Sequence, residues 1–222
     1  MALGLALNIF LPLRSMEQWF RIFLWGTFLR AAAFGFLLWK SPVPFRFAGM
    51  RPAPFLAHAA LMLALWSVLL TQARGEPWGW GERALALPAV LMVGLFEETL
   101  FRGALLAGLA ARFGEGKGAL ASSVLFTIFH TRPQAVAAWP HIFLTGCVFA
   151  NLRLRGMSLG QLALIHAGAD ALFFFHGKES ASGYGSAYWV FLGGLFAYAA
   201  LTAPSTGRAP ARGAPASWPW PR

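Results

Sequence analysis

Residues 84–103 read ALALPAVLMVGLFEETLFRG, an apolar run in which two glutamates and an arginine stand among leucines, phenylalanines and small residues. The run continues as an apolar helix over 84–111, and crossing the hydrocarbon core takes only about 20 such residues. Comparable runs at 19–39, 54–72, 119–132, 135–152, 157–176 and 186–203 are separated by short stretches bearing Pro, Gly and Arg. Together they predict an all-α protein, a polytopic transmembrane helical bundle of about seven helices. The run at 119–132 is short for a span and Pro133 follows it, so this helix is expected to stop near the far interface or break there. Residues 1–18 read as an apolar anchor or re-entrant segment, 19–203 as the membrane domain, and 204–222, rich in Pro, Ala and Arg, as a disordered tail.

Composition agrees with a lipid environment. The 222 residues are 58% hydrophobic and 12% charged, against roughly 25% charged residues in soluble domains. Threading seven crossings in order puts Lys40, Arg46, Arg51, Arg112, Lys117, Arg153, Arg155, Arg208, Arg212 and Arg222 on one side. Arg14, Arg74, Arg83, Arg132 and Lys178 fall on the other. The richer side, with the C-terminus, is expected in the cytoplasm. The basic residues are spread over loops, which argues against nucleic acid as a partner. Cys147 is the lone cysteine, so no disulfide forms within the chain.

Of eight acidic residues, Glu17, Glu76, Glu82, Glu115 and Glu179 fall in loops or interfaces, whereas Glu97, Glu98 and Asp170 fall in apolar runs. Ionisable groups in a span are costly and mark functional paths. Glu98 and Arg102 are four residues apart and can pair on one helical face. Glu97 is rotated by about 100° and can point into a neighbouring cavity. His130 lies within the 119–132 run, and His166 shares a helical face with Asp170. Counted along the helices, Glu97, His130, His166 and Asp170 all lie roughly 13–21 Å deep, on three antiparallel segments.

A carboxylate and an imidazole converging on one water can make it a nucleophile, while a second imidazole donates to the oxyanion. No serine or cysteine stands in a nucleophile motif near these residues. Other readings remain open. The same side chains could bind zinc in a metal-dependent membrane peptidase, line a proton-coupled transporter, or form a receptor for peptides. Glu98 with Arg102 could be a structural ion pair, Glu97 a packed protonated carboxyl, and the histidines satisfied core residues. His141, at similar depth, is assigned to packing or to support of the site. His58 and His176 read as interfacial, and Trp78, Trp80, Trp139 and Trp189 as interfacial belts.

Glu97-Glu98-x-x-x-Arg102, Phe126-x-x-x-His130 and His166-x-x-x-Asp170 resemble, in order, the three motifs of the CAAX-protease and bacteriocin-processing membrane family, the glutamic intramembrane proteases. The resemblance covers roughly residues 90–175, including Phe143-Leu144-x-Gly146 and Arg155-Gly156-x-Ser158-Leu159. It implies an intramembrane endopeptidase with Glu97 as general base beside His130, Glu98 and Arg102 as a supporting pair, and His166 with Asp170 at the oxyanion. Eukaryotic prenyl-protein peptidases carry Asn at the end of the third motif and bacterial relatives also use Asp. An ionised Asp170 cannot donate, so it is expected to orient or charge His166. The resemblance further implies no metal or cofactor, the bilayer and a protein or peptide substrate such as a C-terminal tail or sorting tag as partners, and the inner membrane of a bacterial cell. A self-immunity protein that binds peptides without cutting them is the alternative within the same family.

Overall fold

The computed structural model describes residues 16–40, 45–130, 138–179 and 185–204. Its helices follow the apolar runs, with ends displaced by about a turn or less. They are α1 (Met16–Lys40), α2 (Pro52–Leu70), α3 (Trp80–Glu98), a π-helical segment (Thr99–Leu105), α4 (Leu106–Phe113), α5 (Glu115–Phe129), α6 (Trp139–Leu154), α7 (Leu159–Phe173) and α8 (Ser186–Thr202). From α3 through the π segment to α4 the chain is one rod, Trp80–Phe113. Three rods, Glu17–Lys40, Pro52–Leu70 and Trp80–Phe113, are long and apolar enough to cross a membrane, while α7 and α8 are apolar but shorter. Residues 1–15 of the expected 1–18 anchor, 205–222 of the expected 204–222 tail, and Pro133 lie outside the described residues, while 16–18 belong to α1.

The all-α expectation meets one exception. Strands β1 (Arg74–Pro77) and β2 (Gly177–Glu179) pair antiparallel. At four and three residues they are too short to show an alternating pattern in the sequence. This ribbon ties the α2–α3 connection to the chain just after α7.

Helices α3 and α7 pack on each other more extensively than any other pair. Small residues permit it, as membrane helices lack a hydrophobic drive to associate and rely on close packing. A Cβ on Gly94 would stand 2.5 Å from the Ala163 carbonyl oxygen. One apolar core joins α2, α6, α7 and α8 through Met62, Phe149, Leu152, Leu162 and Phe191. A second joins α1, α3 and α7 around Trp78, which is 2% exposed. Trp78 is therefore no interfacial belt residue. Phe20 and Phe174 close over its ring at 5.4 and 5.2 Å. Trp80 and Trp189 do face outward, together with Phe28 and Phe196.

The start of α7 is held firmly. Gly156, at φ 96°, turns the chain after α6, and Ser158 with Gln161 forms a capping box. The Gln161 side chain also accepts from Met50 N and donates to Met50 O. Gly160 N donates to Arg46 O, and Ser158 Oγ to Phe47 O. The 45–50 loop and the α6–α7 turn thus share one end of the bundle, and the β ribbon lies at the other.

Candidate active site

Glu97 and Glu98 are the last two residues of α3, directly before the π segment. Such segments interrupt α-helices mostly where function needs a displaced turn. Here Leu106 N reaches back to Phe101 O, and Ser122 Oγ of α5 donates to the same carbonyl at 2.9 Å. Glu98 and Arg102 are wholly buried, with Arg102 Nη1 donating to Glu98 Oε1 at 3.1 Å. Arg102 Nη2 also donates to Gly146 O at 3.3 Å, and its guanidinium carbon lies 4.2 Å from the centre of the Phe126 ring. Carbonyl, carboxylate and aromatic face together accommodate the buried cation.

His166 Nδ1 lies 2.7 Å from the same Glu98 Oε1. A carboxylate already accepting from arginine can only accept again, so this nitrogen carries the proton. Glu98 is therefore the group that orients His166. Asp170 was expected to orient or charge His166, because an ionised Asp cannot donate to an oxyanion. Asp170 instead stands 3.7 Å from the far nitrogen, Nε2, beyond hydrogen-bond distance. The link from Glu98 to His166 crosses between α3 and α7, and periodicity along one helix gives no sign of it.

His130 is the C-cap residue directly after α5, a helix expected to run to residue 132. The early stop leaves its backbone non-helical, and its Nδ1 lies 2.8 Å from the Phe126 carbonyl oxygen. A carbonyl only accepts, so Nδ1 carries the proton and Nε2 is turned toward α3. There it lies 3.6 Å from Glu97 Oε2, while His166 Nε2 lies 3.9 Å from that oxygen. Glu97 Oε2 is buried and has no hydrogen-bond partner. Unsatisfied buried acceptors are rare and call for a specific cause.

The structure thus brings Glu97, Glu98, Arg102, His130, His166 and Asp170 into one cluster. Its floor, Glu98 and Arg102, is sealed. Its mouth is the side of His130 and Asp170, whose side chains are 30% and 35% exposed. Phe126 lies between Arg102 and His130, with ring centres 4.5 Å apart to His130, and Phe149 covers His166 at 5.8 Å. Phe126 opens the second motif, whereas Phe149 was not singled out in a sequence where Phe is common throughout. His141 belongs to other surroundings, edge-on to Trp66 at 5.7 Å and near Phe191 at 5.6 Å. His58 also turns inward, its Nδ1 2.6 Å from Tyr198 Oη. Among the described residues, no three His, Cys, Asp or Glu side chains are arranged to hold a metal ion.

A search of curated proteins and of solved structures finds no match. A family model does match, over residues 79–172, and its family is described as type II CAAX prenyl endopeptidase Rce1-like. The matched stretch contains all six residues of the cluster, while α1, α2 and α8 lie outside it. With its long apolar helices and apolar outer face, the chain is a multi-pass membrane protein. Residues 79–172 are a domain of the type II CAAX prenyl endopeptidase Rce1-like family.

Proposed function

We propose that this protein is an intramembrane endopeptidase of the glutamic type, hydrolysing peptide bonds of membrane-associated proteins or peptides. The observation that carries the reading is the pairing of Glu97 and His130. A buried carboxylate oxygen without a hydrogen-bond partner lies 3.6 Å from an imidazole nitrogen whose ring is anchored through its other nitrogen. Two groups at that separation can each reach one water at about 2.8 Å.

Glu97, assisted by His130, takes a proton from this water as its oxygen adds to the scissile carbonyl carbon. The carbonyl oxygen becomes an oxyanion. His166, committed to Glu98 through Nδ1, donates to it through Nε2 when the ring is an imidazolium. Collapse of the tetrahedral intermediate breaks the C–N bond, and the departing amine receives the proton held at Glu97. The products are a carboxylate and an amine, with no covalent enzyme intermediate. Asp170, at the mouth beside Nε2, positions the substrate and holds charge near His166. We further assign the protein to the cytoplasmic membrane of a bacterial cell, acting on C-terminal tails or sorting tags.

The test is cleavage by wild type and by Glu97→Gln in proteoliposomes loaded with membrane peptides, read by mass spectrometry. Wild type is expected to cut and the variant to bind without turnover. Equal cleavage by both would remove Glu97 from the mechanism. Activity is expected to survive a chelator, and its loss with recovery on adding zinc would favour a metallopeptidase.

A further inference from the structure

Arg30 lies on α1, outside the stretch that matches the family model. At 1.5 Å per residue it is about 21 Å from the start of that helix and about 15 Å from its end. An arginine at such depth in a span marks a functional path unless something neutralises it. Its guanidinium folds back along α1 over Gly26, where a Cβ would stand 2.9 Å from Nη1, and lies 6.0 Å from the centre of the Phe23 ring. Nη1 is buried and has no hydrogen-bond partner. The Phe23 ring beneath it packs in the apolar cluster that holds Ala167 and Ala171 of α7, the small residues next to Asp170 on that helix, yet no hydrogen bond or close ion pair joins Arg30 to Asp170 among the described residues. Asp170 is the site carboxylate with the more exposed side chain, at the mouth of the cluster. A cation with an unused buried donor therefore flanks the open side of the site.

We propose that Arg30 binds a carboxylate of the substrate, so that α1 contributes an anion pocket to the site. The guanidinium fork matches a carboxylate in geometry and charge, and a buried donor left unmatched is costly. The depth separates Arg30 from lipid headgroups, which leaves the peptide as the source of the anion. That anion is either the terminal carboxylate or an acidic side chain. The proposal rests on the peptidase reading for the identity of the ligand.

The test uses the full chain in detergent with Glu97→Gln to stop turnover. The probes are fluorescein-labelled pentapeptides randomised over Ala, Val, Leu, Ile and Phe, made as free acids, as C-terminal amides, and as amides with one internal Glu. Binding is read by fluorescence polarisation. An acid-bearing probe is expected to bind more tightly than the plain amide, and Arg30→Gln to erase that preference through a loss of roughly tenfold or more in affinity, the scale of a lost charge-assisted hydrogen bond. Preference for the free acid assigns the terminal carboxylate, and preference for the Glu probe assigns a side chain. If Arg30→Gln does not fold, Arg30→Lys makes the comparison: a reduced preference supports the fork, and an unchanged one overturns it. Equal binding of all three probes to the Arg30 protein also overturns the proposal. So does equal weakening of all three by Arg30→Gln with recovery on adding Asp170→Asn, the pattern of a structural counter-ion. Cleavage by the parent chain without any acid preference ends the proposal and leaves the peptidase standing. An Arg30-dependent acid preference without cleavage by the parent chain does the reverse.

Discussion

One oxygen of Glu98 accepts from both Arg102 and His166, so a single carboxylate holds the arginine of its own rod and the histidine of α7. Removing the cation leaves that carboxylate buried and half-satisfied. Arg102→Ala is accordingly expected to cost about 3–5 kcal/mol of stability and to depress turnover by releasing His166. A thermal-unfolding midpoint and a turnover rate both equal to wild type would contradict this. Glu97 differs because its Oε2 stands 3.6 Å from His130 and 3.9 Å from His166, outside hydrogen-bond distance of both. Glu97→Gln removes the base, keeps the shape and is expected to lower the rate by about 10²–10⁴-fold, with the unfolding midpoint held or raised. A lowered midpoint together with retained cleavage would make Glu97 a structural residue. The two glutamates are neighbours in sequence, yet their substitutions should separate activity from stability.

At the level of elements, the seam between α3 and α7 aligns the two halves of the site, because Glu97 and Glu98 lie on one side of it and His166 and Asp170 on the other. Gly94 sits in that seam against the backbone of Ala163. Gly94→Val would push the helices apart, since a backbone carbonyl cannot swing away as a side chain can. Loss of both activity and thermal stability is the expected outcome. Gly108→Ala on α4, where a Cβ meets nothing within 4 Å, should be neutral or slightly stabilising by helix propensity, by up to about 1 kcal/mol. Equal behaviour of the two variants in activity and unfolding assays would show that the seam tolerates separation. The end of α5 matters in a different way. It brings His130 to the site as a terminal residue, where the ring can bond its own helix and still face Glu97.

Across the whole molecule, the ends of the rods sort into two groups. The 45–50 loop is hydrogen-bonded to the start of α7. Ala107 of α4 packs with Leu159 and Phe45 at that same end, whereas the β ribbon closes the other. The first group carries the excess of basic residues, so it is expected to face the cytoplasm. Gly116 has open space around it, and Gly116→Cys in a Cys147→Ala background gives a reporter there. Membrane-impermeant thiol reagents should label it only in inverted vesicles. Labelling in intact spheroplasts would reverse the orientation and place the mouth of the site at the opposite depth.

The apolar run lengths alone determined that the chain is helical and where most helices lie, because the cost of bare backbone in lipid leaves few alternatives. The ionisable residues within those runs were equally legible, since each stands out against leucine and phenylalanine as a group that lipid would reject. Glu98 with Arg102 could be paired from spacing because both lie on one rod. The partners that cross between rods could not. That Glu98 rather than Asp170 holds His166, that Phe126 stacks on Arg102, and that His130 ends its helix facing Glu97 all depend on how rods meet. Arg30 was not singled out from the sequence, although it stands deep within the first run, and its place beside α7 required the packing of α1. The ribbon and the burial of Trp78 likewise came only from tertiary structure. Periodicity along a chain reports which face of a helix is apolar, while contacts between helices are set by the fit of many small residues at once.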